Sequence, residues 1–173
     1  MKKIFAFFED HRHLALFLTL VSMATLVFVY ITQYVFHHEP CILCRYQRGP
    51  YFAALGFGLL AAVLAKRKPD LGFGLLVLAG AGFLVGLGIS GYHIGVEQHW
   101  WLGPKACGGA LPENATLEEL RAYLTNRNIV DCGVPSWKFL GLSMTSYNFM
   151  MSLGLSVFTF VMAFKGRQKN GRS

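Results

Sequence analysis

Four apolar runs decide what this chain can fold into. Leu14 to Phe36, Leu71 to Tyr92 and Leu142 to Phe164 each run without a charged residue. Each exceeds the ~20 residues that a helix needs to cross the hydrocarbon of a bilayer. Pro50 to Ala65 is shorter and reaches spanning length only by starting near Tyr46, which brings Arg48 to the head-group edge. With 54% hydrophobic and 14% charged residues, the chain carries too little charge to cover a soluble surface. The reading is an all-α membrane protein, a single integral domain over 1–173. Its fold is a four-helix transmembrane bundle with spans at about 14–36, 46–65, 71–92 and 142–164. The first run is too long for a signal-peptide core and lacks a small-residue cleavage pattern, so it is read as a retained span.

Charge sets the orientation. Lys2, Lys3 and Arg12 precede the first span, Lys66, Arg67 and Lys68 join the second to the third, and Lys165, Arg167, Lys169 and Arg172 follow the fourth. Only Glu9, Asp10 and Asp70 oppose them, so the whole formal excess of +7 gathers on one side, and the basic residues opposite are balanced by acids. Basic residues collect on the cytoplasmic side, which places both termini there. Topology accounts for the charge, and no interleaving of aromatic and basic residues points to nucleic acid.

Two segments face the other way, a short one at about 37–45 and a long one at about 93–141. In the long one, Thr116 and Glu119 fit a capping box, and Leu117, Leu120 and Leu124 give a helical period over 116–125. This helix lies flat on the bilayer or packs on the ends of the bundle. The third span is glycine-rich, and the Gly82 to Gly86 spacing suits a close helix contact.

All four cysteines lie on the non-cytoplasmic side. Cys41 and Cys44 form a Cys-Ile-Leu-Cys pair at the mouth of the second span, and Cys107 and Cys132 sit in the long segment. An oxidising compartment allows disulfides there, and Cys107 with Cys132 would serve as a staple or as a second redox pair. A ring closed over two intervening residues ties little of a fold together. It suits a redox couple, in which one thiolate attacks and the other resolves. Structural zinc usually takes two close pairs, and only one exists here, so no metal is expected. Arg45 and Arg48, beside Cys44 at the start of a helix, would favour its thiolate, unless they simply reach for lipid phosphates. Arg48 also suits donation to an oxygen of a lipid-soluble acceptor. Repeated dithiol oxidation must discharge two electrons per turnover, and no flavin or dinucleotide fingerprint is present. A membrane quinone fills that gap.

The stretch Pro40 to Arg48 (Pro-Cys-Ile-Leu-Cys-Arg-Tyr-Gln-Arg), the later Val-Pro-Ser-Trp, and Gly-Leu-Ser-Met-Thr-Ser-Tyr-Asn ending at Asn148 resemble the DsbB family of disulfide-forming membrane oxidoreductases. The resemblance covers essentially the whole chain. It implies a multi-pass protein of the bacterial inner membrane with periplasmic loops at about 37–45 and 93–141. Electrons would come from a soluble periplasmic thioredoxin-fold thiol oxidase, DsbA-like, and go to ubiquinone or menaquinone. Cys107 would bond to that oxidase, Cys132 would exchange with Cys41, and Cys44 would face the quinone, with Arg48 at its oxygen and His93 near it. Arg45 is expected at the quinone with Arg48 and His93, although it stands where relatives can carry an apolar residue. The vitamin K epoxide reductase family also pairs four cysteines with a quinone-like substrate, but in the reverse order along the chain.

Overall fold

The computed structural model describes residues 6–104, 107, 116–118, 121, 130–135 and 137–170. Helix α1 is His11–Tyr34, α2 is Ile42–Tyr46, α3 is Arg48–Leu64, α4 is Pro69–Glu97 and α5 is Met144–Asn170. The residues 119, 120 and 122–125 of the expected amphipathic helix lie outside the described residues.

Local chemistry sets the ends of these helices. Asp10 caps α1 by accepting from the Arg12 backbone N–H at 2.8 Å. Pro69 opens α4, where its missing N–H has no role, and Asp70 follows in the first turn, where the helix dipole favours an acid. At the joint between α2 and α3 the ladder lapses around Gln47, whose backbone stays helical at φ −62° and ψ −18°, and Pro50 has no N–H to offer the Tyr46 carbonyl.

Among the described residues, three helices, α1, α4 and α5, are long and apolar enough to cross a membrane. The chain is thus a multi-pass α-helical membrane protein. The remaining apolar run forms α3, of 17 residues, short of the ~20 that a perpendicular crossing needs. Helix α3 lies between α1 and α4, and α4 packs along α5. Helix α4 also continues through His93 to Glu97, past the limit read for that apolar run, because the residues there are held from two sides. Trp101 folds back over Gly95, donates its indole N–H to the Tyr92 carbonyl at 2.9 Å and stacks on the Tyr92 ring.

The outer surface is apolar, unlike that of a water-soluble bundle, and the interior mixes small polar residues with aliphatics. Ser22, Ser90, Ser152, Ser156 and Thr159 are buried with Leu14, Leu18, Leu76 and Phe83, while Leu20, Val63, Val85 and Val157 point outward. Small polar residues at helix contacts with aliphatics outside suit a lipid surrounding. Gly86 meets Pro50 of α3 and Ser152 of α5, each 3.3 Å from where a β-carbon would sit, and Gly82 faces the Pro50 carbonyl. At one end of the bundle Lys169 pairs with Glu9 at 3.1 Å, and Arg167 lies over the Phe73 ring. The two chain ends are thereby joined, and the cysteines lie at the other end. There a two-stranded hairpin, β1 Lys138–Phe139 and β2 Leu142–Ser143, leads into α5. Its turn uses positive φ at both Leu140 (49°) and Gly141 (80°), the geometry of a type I′ turn.

Candidate functional site

Cys41 ends the segment after α1 and caps α2. Its sulfur accepts from the Cys44 backbone N–H at 3.2 Å and lies 2.8 Å from the Cys44 sulfur, and both thiols are free. Cys107 and Cys132 are joined in a disulfide. The two pairs form one cluster with Leu43 and Val96, in which Cys41, Cys107 and Cys132 are all buried. The Cys41 sulfur, a ring nitrogen of His93 and the Cys132 sulfur lie within 4.8 Å of one another. Because the Cys132 sulfur is committed to a disulfide, this trio lacks the thiolates that a metal would need.

The negative charge of the reduced pair belongs on Cys41. The thiol of Cys44 donates to it, and although burial opposes ionisation, His93 and the Cys44 backbone N–H favour it, lowering its pKa from 9.0 to about 5. Cys44 is pushed upward, first by serving as donor to Cys41 and then by burial. From the sequence that charge is expected on Cys44, beside Arg45 and Arg48; the His93 and backbone N–H contacts favour Cys41. Arg45 is exposed on α2. Arg48 is committed elsewhere: its Nη1 donates to Gln33 Oε1 at 2.7 Å, and its guanidinium lies 4.9 Å from the Tyr30 ring centre.

His93 is 2% exposed and sits behind Cys41. Its Nε2 lies 3.7 Å from the Cys41 sulfur and 3.2 Å from the Cys132 carbonyl oxygen. Nδ1 meets Gln47 Nε2 at 2.8 Å and Thr145 Oγ1 at 3.2 Å. Thr145 and Ser143 donate to the two oxygens of Glu97 at 2.7 and 2.6 Å. On the other side Asn148 donates to Gln47 Oε1, and Tyr51 donates to Asn148, each at 2.6 Å. Gln47, Ser143 and Thr145 fall within the stretches that carry the resemblance but were given no role, and Tyr51 and Glu97 were not singled out. The available signal was Glu97 four residues after His93, which puts both on one helix face.

A cavity of about 1020 Å³ opens beside the cysteines between α1, α3 and α5. Its wall is mostly apolar, with Phe28, Val29 and Met151 among the lining, and it gathers Cys44, Gln47, Arg48 and Asn148 at one end. Of the three residues expected at a bound acceptor, Arg48 lines this cavity, whereas Arg45 and His93 do not. The two sulfurs of one pair therefore face different neighbours, Cys44 the cavity and Cys41 the second pair.

The family model for disulfide bond formation protein DsbB matches residues 11–162. A disulfide bond formation protein B of Xanthomonas euvesicatoria pv. vesicatoria is 34% identical over 145 residues, covering 76% of this chain and 78% of its own length. Its counterpart in Xylella fastidiosa is 32% identical over 138 residues, with 76% and 77% covered. An uncharacterized protein of Rickettsia prowazekii is 29% identical over 158 residues, 90% of each chain. With two cysteine pairs placed for disulfide chemistry at one end of a multi-pass helical protein, the chain belongs to the DsbB family of disulfide-bond oxidoreductases.

Proposed function

We propose that this protein takes electrons from a reduced periplasmic thioredoxin-fold oxidase of the DsbA kind. It passes them through its two cysteine pairs to ubiquinone or menaquinone in the inner membrane, so that the oxidase can form disulfides again. The observation that carries this reading is the placement of one pair between two clients. The Cys41 sulfur lies within 4.8 Å of the Cys132 sulfur, and Cys44 lines the cavity.

The cavity suits a quinone by its chemistry: an apolar wall for the ring and tail, and at one end Arg48, with N–H groups beyond the one used by Gln33. When bound, a quinone supplies a two-electron, two-proton oxidant. The protein's own residues do the rest. A thiolate of the oxidase attacks Cys107, the Cys107–Cys132 bond breaks, and resolution by the oxidase's second thiol leaves both cysteines reduced. Cys132 then attacks Cys41 of the Cys41–Cys44 disulfide, so that a Cys41–Cys132 bond forms and Cys44 leaves as a thiolate on the cavity wall. Attack of Cys107 on Cys132 restores the 107–132 disulfide and leaves 41 and 44 reduced, the arrangement found here. Two electrons have then moved from the loop pair to the pair at the cavity.

In the membrane, α3 with Tyr46 and Gln47 before it completes a fourth crossing. The termini lie in the cytoplasm and the cysteines in the periplasm. Support comes from the basic residues at the end of the bundle opposite the cysteines. The test is quinol formation by the purified protein, supplied with a reduced DsbA-type protein and either ubiquinone-1 or a short-chain menaquinone. Quinol from the parent and none from Cys44→Ser is the expected result. A folded parent that reduces neither quinone overturns the proposal.

A further inference from the structure

His93 was expected beside the acceptor, yet it stands on the far side of the cysteine pair, against the joint between the two pairs. A backbone carbonyl can only accept, so the 3.2 Å contact with the Cys132 oxygen requires a hydrogen on Nε2 in either charge state of the ring. That N–H is shared with the Cys41 sulfur at 3.7 Å. Nδ1 is turned to the Gln47 amide N–H, which donates to it at 2.8 Å while Asn148 holds the Gln47 oxygen. The Thr145 hydroxyl stands 3.2 Å from Nδ1 and donates to Glu97 Oε1 at 2.7 Å. The Glu97 side chain is only 6% exposed, and its Oε1 lies 3.9 Å from His93 Nε2. Thr145 and Ser143 donate to its two oxygens, so the carboxylate fixes the Thr145 hydroxyl beside the ring.

We propose that His93 is a catalytic residue of the exchange between the two cysteine pairs. Its Nε2–H, aimed by the Cys132 carbonyl, donates to Cys41 as that sulfur leaves Cys132, while Gln47, Thr145 and Glu97 hold the ring in place. This deepens the proposed electron path and rests on it. In the step concerned, the Cys107 thiolate attacks Cys132, the Cys107–Cys132 bond forms and the Cys41–Cys132 bond breaks. The bonding pair goes to Cys41, whose charge meets the Nε2–H. The proton lost by Cys107 goes to water, and no other oxidant or reductant is needed. His93 thus favours electrons on the cavity pair over electrons on the loop pair. Glu97 and Thr145 act through His93 and are positioning residues.

Two measurements on the full-length protein in detergent test this. The first is a pH titration of thiolate absorbance with Cys107–Cys132 intact and Cys41 and Cys44 reduced, which uses neither oxidase nor quinone. The parent is expected to show its first transition near pH 5. His93→Phe should shift it upward by roughly one unit or more, and His93→Gln, which keeps an N–H near the position of Nε2, should restore part of the shift. The second mixes fully oxidised protein with one equivalent of reduced DsbA-type protein without quinone, then locates the thiols by quenched alkylation and mass spectrometry. In His93→Phe electrons should collect on Cys107 and Cys132, with transfer to Cys41 and Cys44 slowed roughly 100-fold. Glu97→Gln should slow it about tenfold and change its pH profile, which a merely structural role would not do. Should His93→Phe fail to fold, the Gln variants at both positions decide the matter. Titration curves and transfer rates that overlay the parent's overturn the role of His93. A parent that takes no electrons from the oxidase speaks against the electron path instead, and the titration still decides whether His93 acts on Cys41.

Discussion

The sulfur atoms of Cys41 and Cys132, which belong to different cysteine pairs and lie far apart in the chain, are held within 4.8 Å of each other. A bond between them therefore needs only a small approach once their own partners are gone. In the Cys44→Ser, Cys107→Ser double variant a Cys41–Cys132 disulfide should form within one molecule. Peptide mapping under non-reducing conditions should recover it as the main product. Predominantly intermolecular dimers would contradict this arrangement.

Stability of the form reduced at Cys41 and Cys44 should depend on pH with a definite sign. Cys41 ionises near pH 5 when folded, against 9.0 for the free side chain, so between those values the unfolded chain binds the extra proton. Stability should therefore rise with pH from about 5 towards about 9, and its contribution is lost as pH falls through the folded value. Cys44 is shifted the other way, so its contribution is present below 9.0 and declines above it. Thermal unfolding of the reduced parent beside Cys41→Ser should show the rise in the parent alone.

The two arginines beside Cys44 should separate cleanly. Arg48 lines the cavity and stacks on Tyr30, and Arg45 is exposed. Arg48→Met should raise the KM for ubiquinone-1 about tenfold by removing a planar donor that lysine cannot replace. Arg45→Ala should stay within about twofold of the parent, since a solvated charge contributes little. Steady-state quinol assays of both variants decide it, and equal losses would show that Arg45 also serves the acceptor.

Two glycines two residues apart should respond oppositely. A β-carbon on Gly72 would lie 2.8 Å from the Ala65 Cα, a backbone atom in the preceding turn, while one on Gly74 meets nothing within 4 Å. Gly72→Ala should cost roughly 1–3 kcal/mol through overpacking. Gly74→Ala should be neutral or slightly stabilising, as read by unfolding in mild detergent.

In the hairpin before α5, Leu140 holds φ at 49°, a left-handed conformation that costs a branched side chain roughly 1–2 kcal/mol. Leu140→Asn should recover about 1 kcal/mol, since asparagine followed by Gly141 is the preferred pair for such a turn. A lower melting temperature for Leu140→Asn would mean that the leucine side chain, 83% exposed here, makes a stabilising contact in the bilayer.

Uncharged length revealed α1, α4 and α5 directly, because hydrocarbon thickness is a one-dimensional constraint and leaves a one-dimensional trace. The Cys41–Cys44 pair was readable for a similar reason, since its chemistry depends on local spacing. What sequence could not supply was facing. Arg45 and Arg48 both looked close to Cys44, but one points to the surface and the other is bound by Gln33 and Tyr30. Both contacts of Arg48 come from a helix that no local pattern aligns with it. His93 was expected near the acceptor from the family resemblance alone, but its position is set by Gln47 and Thr145 from two other parts of the chain. The hairpin also went unread, since two residues per strand are too few to show an alternating pattern.

The interrupted ladder at Gln47 makes the interval from Cys44 to Arg48 a measured length rather than a free linker. Each residue added to or removed from a helix turns whatever precedes it by about 100°. A single insertion between Tyr46 and Pro50 would thus swing the thiols away from the cavity and from Cys132 together, leaving every reactive group intact but facing the wrong neighbour. Swapping this segment between homologues should succeed only when that interval is copied without change, even where the flanking helices are freely exchanged.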